Sequence, residues 1–124
     1  MTSPREVRWV GDSKERLQGF PGQVRRDIGH AFYLVQTGQK PPSAKPMRGI
    51  ESGVSEIVDD HDTNTFLAVY TVKIGRSLYV LHAFQKKSNR GIATPRQEIV
   101  QIKRQLRRAK ELAKQEEEDH GRGH

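Results

Sequence analysis

The sequence predicts an α+β fold, in which a small antiparallel sheet packs against an N-terminal helical hairpin and a C-terminal basic helix. Apolar residues recur at helical spacing in residues 21–37 and 95–114, while residues 65–73 and 77–84 are rich in β-branched and aromatic side chains. The order of elements is therefore β-α-α-β-β-β-α. With 124 residues, 33% of them hydrophobic, we expect one domain whose sheet carries helices on one side.

The N-terminal part predicts a short strand followed by two helices. The stretch VRWV, residues 7–10, is the strand candidate. Asp12 and Glu15 have the spacing of a capping box made of carboxylates, which begins a short helix. Pro21 suits the first turn of the second helix, and Gly38 is a typical helix stop.

The middle of the chain predicts a loop and then three strands. Residues 39–49 contain three prolines and no periodicity, which is typical of a loop. The strand candidates are residues 53–59, 65–73 and 77–84, separated by the turn sequences DDHDTN and IGR. Such short connections favour an antiparallel meander.

The last element is a helix with a clear start. Residues 94–97, TPRQ, form a Thr-x-x-Gln capping box with proline at the first helical position. An apolar stripe then continues to residue 113, with most cations lying off it. Residues 115–124 carry a run of like charges, so we expect a single domain of residues 1–114 and a disordered tail of residues 115–124.

The positive charge is concentrated in one part of the sequence. Residues 85–114 contain ten basic residues and two acidic ones, whereas residues 1–84 contain eleven and nine. This concentration favours a polyanionic partner, with nucleic acid first and an acidic protein second.

Several classes of chemistry find no support in the sequence. The absence of cysteine excludes disulfides, thiolate metal sites and cysteine nucleophiles. The histidines show no ligand spacing, so we expect neither a metal nor a cofactor. Neither a signal peptide nor an apolar run of membrane-spanning length is present, and we expect a cytoplasmic protein.

Lys86 and Lys87 are the first candidates for a functional site. Two ammonium groups at a strand end can stabilise negative charge on a phosphoryl oxygen. The alternative is a solvated loop whose lysines discourage edge pairing.

Lys73, Arg76 and His82 are weaker candidates. Lys73 and Arg76 flank the hairpin turn and would join the same cationic surface if the strands align. His82 alternates with Leu78, Val80 and Phe84, so it is expected to be a half-buried histidine, with an acid/base role as the alternative.

Four segments of the chain resemble a known family. They are FP-x-x-VRR in residues 20–26, KPM in residues 45–47, LHAFQKK in residues 81–87 and the helix start TPRQEI in residues 94–99. In this order they resemble the RelE/HigB toxins of type II toxin–antitoxin modules, and within these the phage-derived, HigB-like branch. The resemblance extends over residues 5–110.

The resemblance implies a RelE-like fold with a curved antiparallel sheet and a ribosome-dependent mRNA endoribonuclease. Such toxins need no metal, because the ribose 2′-OH attacks the scissile phosphate and the enzyme supplies cations, a proton acceptor and base stacking. The implied partners are the ribosome, its mRNA and a cognate antitoxin with a helix-turn-helix. Operator DNA would be bound only through the antitoxin complex, and no membrane is involved.

The resemblance also implies roles for particular residues. Lys86 and Lys87 stand where the family contacts the scissile phosphate, and Arg76 and His82 are possible catalytic helpers. The remaining cations of the basic region and the hairpin are candidate RNA contacts, namely Lys73, Arg90, Arg96, Lys103, Arg104, Arg107 and Arg108.

Leu67 departs from the family pattern. Related chains carry an active-site arginine at this position of the central strand, which here reads FLAVY in residues 66–70. One alternative is therefore a weakened or inactive toxin that serves as an RNA- or partner-binding module. Another is an accessory protein of a mobile element that binds nucleic acid generally.

Overall fold

Five strands and three helices make up the part of the chain that the structure, a computed structural model, describes: residues 3–87 and 93–122. In chain order they are β1 Val7–Trp9, α1 Ser13–Gln18, α2 Gly22–Gln36, β2 Ala44–Pro46, β3 Val54–His61, β4 Asn64–Thr71, β5 Leu78–Lys87 and α3 Arg96–Arg122. Within these residues, none of the helices has the length and apolarity needed to cross a membrane.

The strands form one mixed sheet in the order β1-β5-β4-β3-β2. The antiparallel meander β3–β4–β5 is the one that the sequence predicts, and the α+β class is confirmed. β1 lies parallel to β5 at one edge, and β2 lies antiparallel to β3 at the other. The prediction of a loop for residues 39–49 was wrong for β2, whose Pro46 is tolerated because the strand is at an edge.

Helices cover both faces of the sheet, so the expectation of helices on one side was wrong. On the first face, here called the α2 face, Leu17 of α1 and Val24 and Ile28 of α2 pack against the strands. On the second face, the α3 face, Ile102 and Leu106 of α3 pack against the strands. β4 is buried from residue 65 to residue 71 because both of its faces are covered.

The two N-terminal helices follow the sequence pattern closely, but the start of α1 differs. α2 occupies Gly22–Gln36, against the predicted residues 21–37. Asp12 precedes α1 without a side-chain capping hydrogen bond. Its carboxylate instead accepts a hydrogen bond from Nε of Arg16 at 2.9 Å, one turn along the helix.

α3 continues to Arg122, beyond the predicted end near residue 114. Glu116 holds this part of the helix on the sheet: its carboxylate accepts hydrogen bonds from Tyr79 Oη at 2.8 Å and from Arg8 Nε at 2.9 Å. The expectation of a disordered tail from residue 115 is therefore wrong as far as Arg122. The contacts of Glu116 with Arg8 and Tyr79 offset the repulsion between the like charges of this segment.

A β-bulge in β5 sets which side chains face α3. Tyr70 pairs with Val80 and Val69 pairs with His82, which leaves Leu81 as the extra residue. The alternation of faces along β5 is therefore interrupted at this point. Tyr79 and Leu81 face α3 before the interruption, and Phe84 faces α3 after it.

Candidate active site

A cleft of about 280 Å³ opens on the α3 face of the sheet, at the end where β5 finishes. We call it the Lys86 cleft. Four strands contribute to it, and the side chains that line it are Lys45 of β2, Glu56, Val58 and Asp60 of β3, Thr65 and Leu67 of β4, and Lys86 of β5.

The register of the sheet explains why these residues meet. Asp60 lies opposite Thr65, and Thr65 lies opposite Lys86, so the three form one row across three strands. Val58 and Leu67 form the next row. Side chains two residues apart on a strand share a face, which places both rows in the cleft.

Thr65 fixes the position of Asp60. The Thr65 hydroxyl donates a hydrogen bond of 2.7 Å to Oδ1 of Asp60. Thr65 itself is only 7% exposed, so the donor is held by its surroundings, whereas Asp60 is exposed. The arrangement gives an oriented carboxylate that solvent or a ligand can reach.

An ion pair lines the other side of the cleft. Lys45 and Glu56 lie opposite each other on β2 and β3, and Nζ of Lys45 is 3.7 Å from Oε1 of Glu56. The Glu56 side chain is 11% exposed and that of Lys45 is 64% exposed. A buried carboxylate is thus compensated by a lysine at the rim.

The cleft combines three properties that nucleotide chemistry uses. Lys86 and Lys45 supply positive charge, Asp60 and Glu56 supply acceptors, and Val58 and Leu67 supply an apolar floor. Cations stabilise charge on a phosphoryl oxygen, acceptors bind hydroxyl protons, and apolar side chains pack against bases. Among residues 3–87 and 93–122, the histidine and acidic side chains form no group of three or more that could hold a metal ion.

Lys86 lines the cleft. Lys87 is the last residue of β5 and its backbone pairs with Asn64, while its side chain is outside the part of the chain that the structure describes. The candidate RNA contact Arg90 also lies outside the described residues.

Arg76 and Lys73 do not join Lys86. Both lie beside the turn that precedes β5, whereas Lys86 is near the other end of that strand. At about 3.3 Å per residue, the two ends are on the order of 25–30 Å apart. In the structure Arg76 and Lys73 therefore do not share a surface with Lys86, and the catalytic role suggested for Arg76 stays a prediction.

Arg76 instead borders a second, larger groove of about 1150 Å³ at the opposite end of the sheet. The other arginines of this groove are engaged in the fold. Arg5 donates to the backbone oxygen of Arg76 at 3.0 Å, and Arg8 bonds Glu6 and Glu116. Although this groove is the larger of the two, its cations hold β1 and α3 in place, and we favour the Lys86 cleft as the site.

His82 is fully buried, so it cannot touch a substrate in this conformation. Its ring stacks on Phe84 with centroids 5.5 Å apart, and Nε2 lies 3.3 Å from Oε1 of Glu98 on α3. Burial lowers the pKa of His82, and Glu98 opposes this in part. His82 is thus more deeply buried than the half-buried histidine that the sequence predicts, because the bulge turns its imidazole toward α3. The catalytic role suggested for it stays a prediction.

The outer face of α3 carries the predicted basic surface. Arg96, Lys103, Arg104, Arg107 and Arg108 are all exposed. Arg104 and Arg108 also donate to Gln101 and Gln105, one turn earlier in the helix. The helix thus presents its cations to solvent while its apolar stripe packs on the sheet.

Sequence reasoning missed Asp60 and Thr65 as site residues. The stretch DDHDTN is typical of a turn, but β3 continues to His61 and the turn is limited to Asp62 and Thr63. Both of these residues have positive φ, 51° and 58°, as a two-residue type I′ hairpin requires. Only this tight turn extends the strands far enough to bring Asp60 opposite Thr65.

Comparison with known proteins adds two similarities. The family described as "Phage derived protein Gp49-like (DUF891)" matches residues 15–107. The crystal structure of the toxin–antitoxin complex RelBE2 from Mycobacterium tuberculosis contains a chain with 15% sequence identity and a TM-score of 0.46; the match covers 67% of this chain and 99% of that one. No curated protein matches the sequence.

Proposed function

Because the chain belongs to the Gp49-like family of phage-derived proteins, we propose that it is the toxin of a toxin–antitoxin module, of the HigB-like branch. The four segments that resemble RelE/HigB toxins, from FP-x-x-VRR to TPRQEI, all fall within the matched residues 15–107. The family match and the resemblance thus rest on the same part of the chain.

The proposed activity is cleavage of mRNA on the ribosome by attack of a ribose 2′-OH on the scissile phosphate, without a metal. The observation that carries this proposal is the Lys86 cleft, which joins a cation, an oriented carboxylate and an apolar floor in one place. Lys86 would stabilise the charge that develops on the phosphoryl oxygens. Lys87 is proposed as a second phosphate contact on the family resemblance alone.

The proposed partners follow from the charge distribution and the resemblance. The exposed cations of α3 would contact ribosomal RNA, whose phosphates attract such a surface. A helix-turn-helix antitoxin would neutralise the toxin and carry the complex to operator DNA. The place of action would be the cytoplasm, where ribosomes translate.

Induced expression in a bacterial host tests this proposal. The wild-type chain should arrest growth and produce cleaved messages that primer extension detects. Lys86→Ala should remove both effects and still fold, because Lys86 is only partly buried at the rim of the cleft. Lys40→Ala, a change of an exposed lysine on a loop, is the matched control and should remain toxic.

Continued growth with intact messages, in a host without any antitoxin, would contradict an active toxin. If Lys86→Ala is as toxic as the wild type, the activity is real but the cleft is the wrong site. The two failures are therefore separable.

A second candidate function, an RNA- or partner-binding protein with little cleavage, is favoured by Leu67. This side chain is 1% exposed and packs with Phe84 and Ile102, and it also lines the Lys86 cleft. The resemblance assigns an arginine to this position, whereas the leucine found here lines the cleft without a charge.

Leu67→Arg distinguishes the two functions. A cleavage rate on programmed ribosomes that rises at least tenfold would identify a decayed enzyme. An unchanged rate that is already high would show that Lys86 and its neighbours suffice. Leu112→Arg, which adds the same charge at an exposed position of α3, is the control.

A further inference from the structure

We propose that Asp60 is the proton acceptor of the reaction, the group that removes the proton from the attacking 2′-OH. This inference rests on the proposed function and assigns a catalytic residue within the same cleft. Three features of the described residues support it: the orientation of the carboxylate, its accessibility and its place relative to Lys86.

The orientation comes from Thr65. Its buried hydroxyl donates to Oδ1 of Asp60 at 2.7 Å, across the antiparallel pair β3–β4. Because Thr65 has a β-branched side chain in the middle of the sheet, its hydroxyl has few alternative positions. A general base must be held within reach of the proton that it abstracts, and this hydrogen bond provides the fixed geometry.

Accessibility separates Asp60 from the other acceptors near the cleft. Glu56 is buried and is paired with Lys45. His82 is fully buried beneath α3. Asp60 is exposed and lines the cleft, so a substrate in the cleft can reach its carboxylate.

The third feature is the row Asp60–Thr65–Lys86. Adjacent strands are about 4.8 Å apart, so the backbones of Asp60 and Lys86 are separated by roughly 10 Å. Both side chains line the same cleft. A nucleotide between them would present its phosphate toward the ammonium group and its ribose toward the carboxylate.

The chemical step balances without a cofactor. Asp60 takes the proton of the 2′-OH while the 2′-oxygen forms a bond to phosphorus and the bond from phosphorus to the 5′-oxygen breaks. The products are a 2′,3′-cyclic phosphate and a 5′-hydroxyl, whose oxygen takes a proton from water. The Lys86 ammonium group stabilises the charged phosphoryl oxygens.

Asp60→Asn is the direct test, because asparagine keeps the size of the side chain and an oxygen for the Thr65 hydroxyl. We expect the single-turnover rate of mRNA cleavage on programmed ribosomes to fall by about 10²- to 10⁴-fold. Affinity for ribosomes carrying an mRNA with a 2′-deoxy nucleotide at the cleavage site should stay within about twofold. Asp62→Asn, in the adjacent turn with a side chain 88% exposed, should change neither quantity.

A second variant covers the case in which Asp60→Asn lowers stability. Thr65→Val keeps the carboxylate but removes its donor, so the rate should fall less and should still decline at acid pH. In Asp60→Asn the acid decline should disappear from any residual activity, which loss of structure alone would not produce.

Cleavage by Asp60→Asn at the wild-type rate would overturn this assignment and leave the proposed function intact. A loss of ribosome affinity equal to the loss of rate would also overturn it, since Asp60 would then contribute to binding. If neither the wild type nor Leu67→Arg cleaves mRNA, the proposed function itself fails, and the assignment with it.

Discussion

Asp59 and Asp27 bring two carboxylates together between β3 and α2, on the sheet face away from the Lys86 cleft. Burial, together with the nearby carboxylate of Asp27, raises the pKa of Asp59 to about 6. Oδ2 of Asp59 is buried and without a hydrogen-bond partner among the described residues. The charged form of Asp59 is therefore unfavourable in the folded protein.

Asp59→Asn should make the protein more stable at neutral pH. The pKa of Asp59 in the folded state lies above the ordinary value of 3.8, so the protonated form contributes stability that is complete below pH 4 and lost as the pH rises through 6. Asparagine removes the charge, and because solvent screens this partly exposed carboxyl, we expect a reduced gain on the order of 1–2 kcal/mol at pH 8. The gain should vanish near pH 4.

Urea unfolding at pH 4 and pH 8 measures this difference. Glu51→Gln, at an exposed position paired with Lys110, is the control. A wild type that is at least as stable as Asp59→Asn at pH 8 would contradict the account.

Residues of the candidate site could be named from the sequence only where they belong to a recognisable motif. Lys86 followed from FQKK, because the segment has a recognisable family context. Asp60 did not, since its role depends on a turn limited to Asp62 and Thr63. His82 was expected on one face with Leu78, Val80 and Phe84. It shares its face with Phe84 but not with Leu78 and Val80, because simple alternation along a strand does not reveal a bulge.

At the scale of elements, α3 is held on the sheet by contacts at both ends and in its middle. Glu98 lies beside His82 near its start, and Glu116 bonds Tyr79 and Arg8 near its end. In the middle, the buried side chain of Gln105 donates to the backbone oxygen of Val10 at 3.1 Å. The helix passes directly over the connection between β1 and α1.

Gly11→Ala should destabilise the protein strongly. Gly11 has a φ of 57°, which disfavours an L side chain, and an added Cβ would collide with the amide of Gln105. We expect a loss of about 2–4 kcal/mol in the free energy of unfolding, typical of combined strain and steric conflict.

Gly29→Ala is the matched control for Gly11→Ala. Gly29 lies in α2, its φ is helical, and no neighbouring atom lies within 4 Å of the position that an added Cβ would take. The same substitution should there raise stability by about 0.5–1 kcal/mol. Equal effects of the two changes in thermal unfolding would contradict the contact between α3 and the β1–α1 connection.

Elements with strong local signals were predictable, and those defined by distant contacts were not. The periodicity of α2 gave its bounds to within one residue at each end. β2 has three residues and exists because β3 pairs with it. The last turns of α3 depend on Arg8 and Tyr79, which are more than thirty residues away in the sequence.

At the scale of the whole molecule, the Lys86 cleft and α3 lie on one face of the sheet, and α1 and α2 lie on the other. The cations of α3 are exposed, and the formal net charge of the chain is +7. A polyanion that enters the cleft would therefore also meet the basic helix. The cleft lysines and the α3 cations thus belong to the same side of the molecule.

The combined change Lys103→Gln, Arg104→Gln and Arg107→Gln should weaken ribosome binding. Each phosphate contact contributes about 0.7–0.9 to the slope of log K against log salt, so the slope should fall by roughly 2–3. Binding measured between roughly 50 and 300 mM salt gives both slopes.

A control with the same number of lost cations is available on the opposite face. Lys14→Gln, Arg25→Gln and Arg26→Gln alter exposed positions of α1 and α2. These changes should leave the slope nearly unchanged. Equal slopes for both triple variants would show that net charge, and not the α3 surface, determines the affinity.

The unpaired residue Leu81 means that β5 could lose one residue and keep its pairing with β4. If Leu81 were lost, Val80 and His82 would become neighbours, Tyr70 and Val69 would keep their partners, and the pleat would become regular. Lys86 would still stand opposite Thr65. Deletion of Leu81 would thus remove a core side chain but leave Lys86 in the cleft. Deletion of a residue between Leu81 and Lys86 would instead move the Lys86 side chain to the opposite face of the sheet.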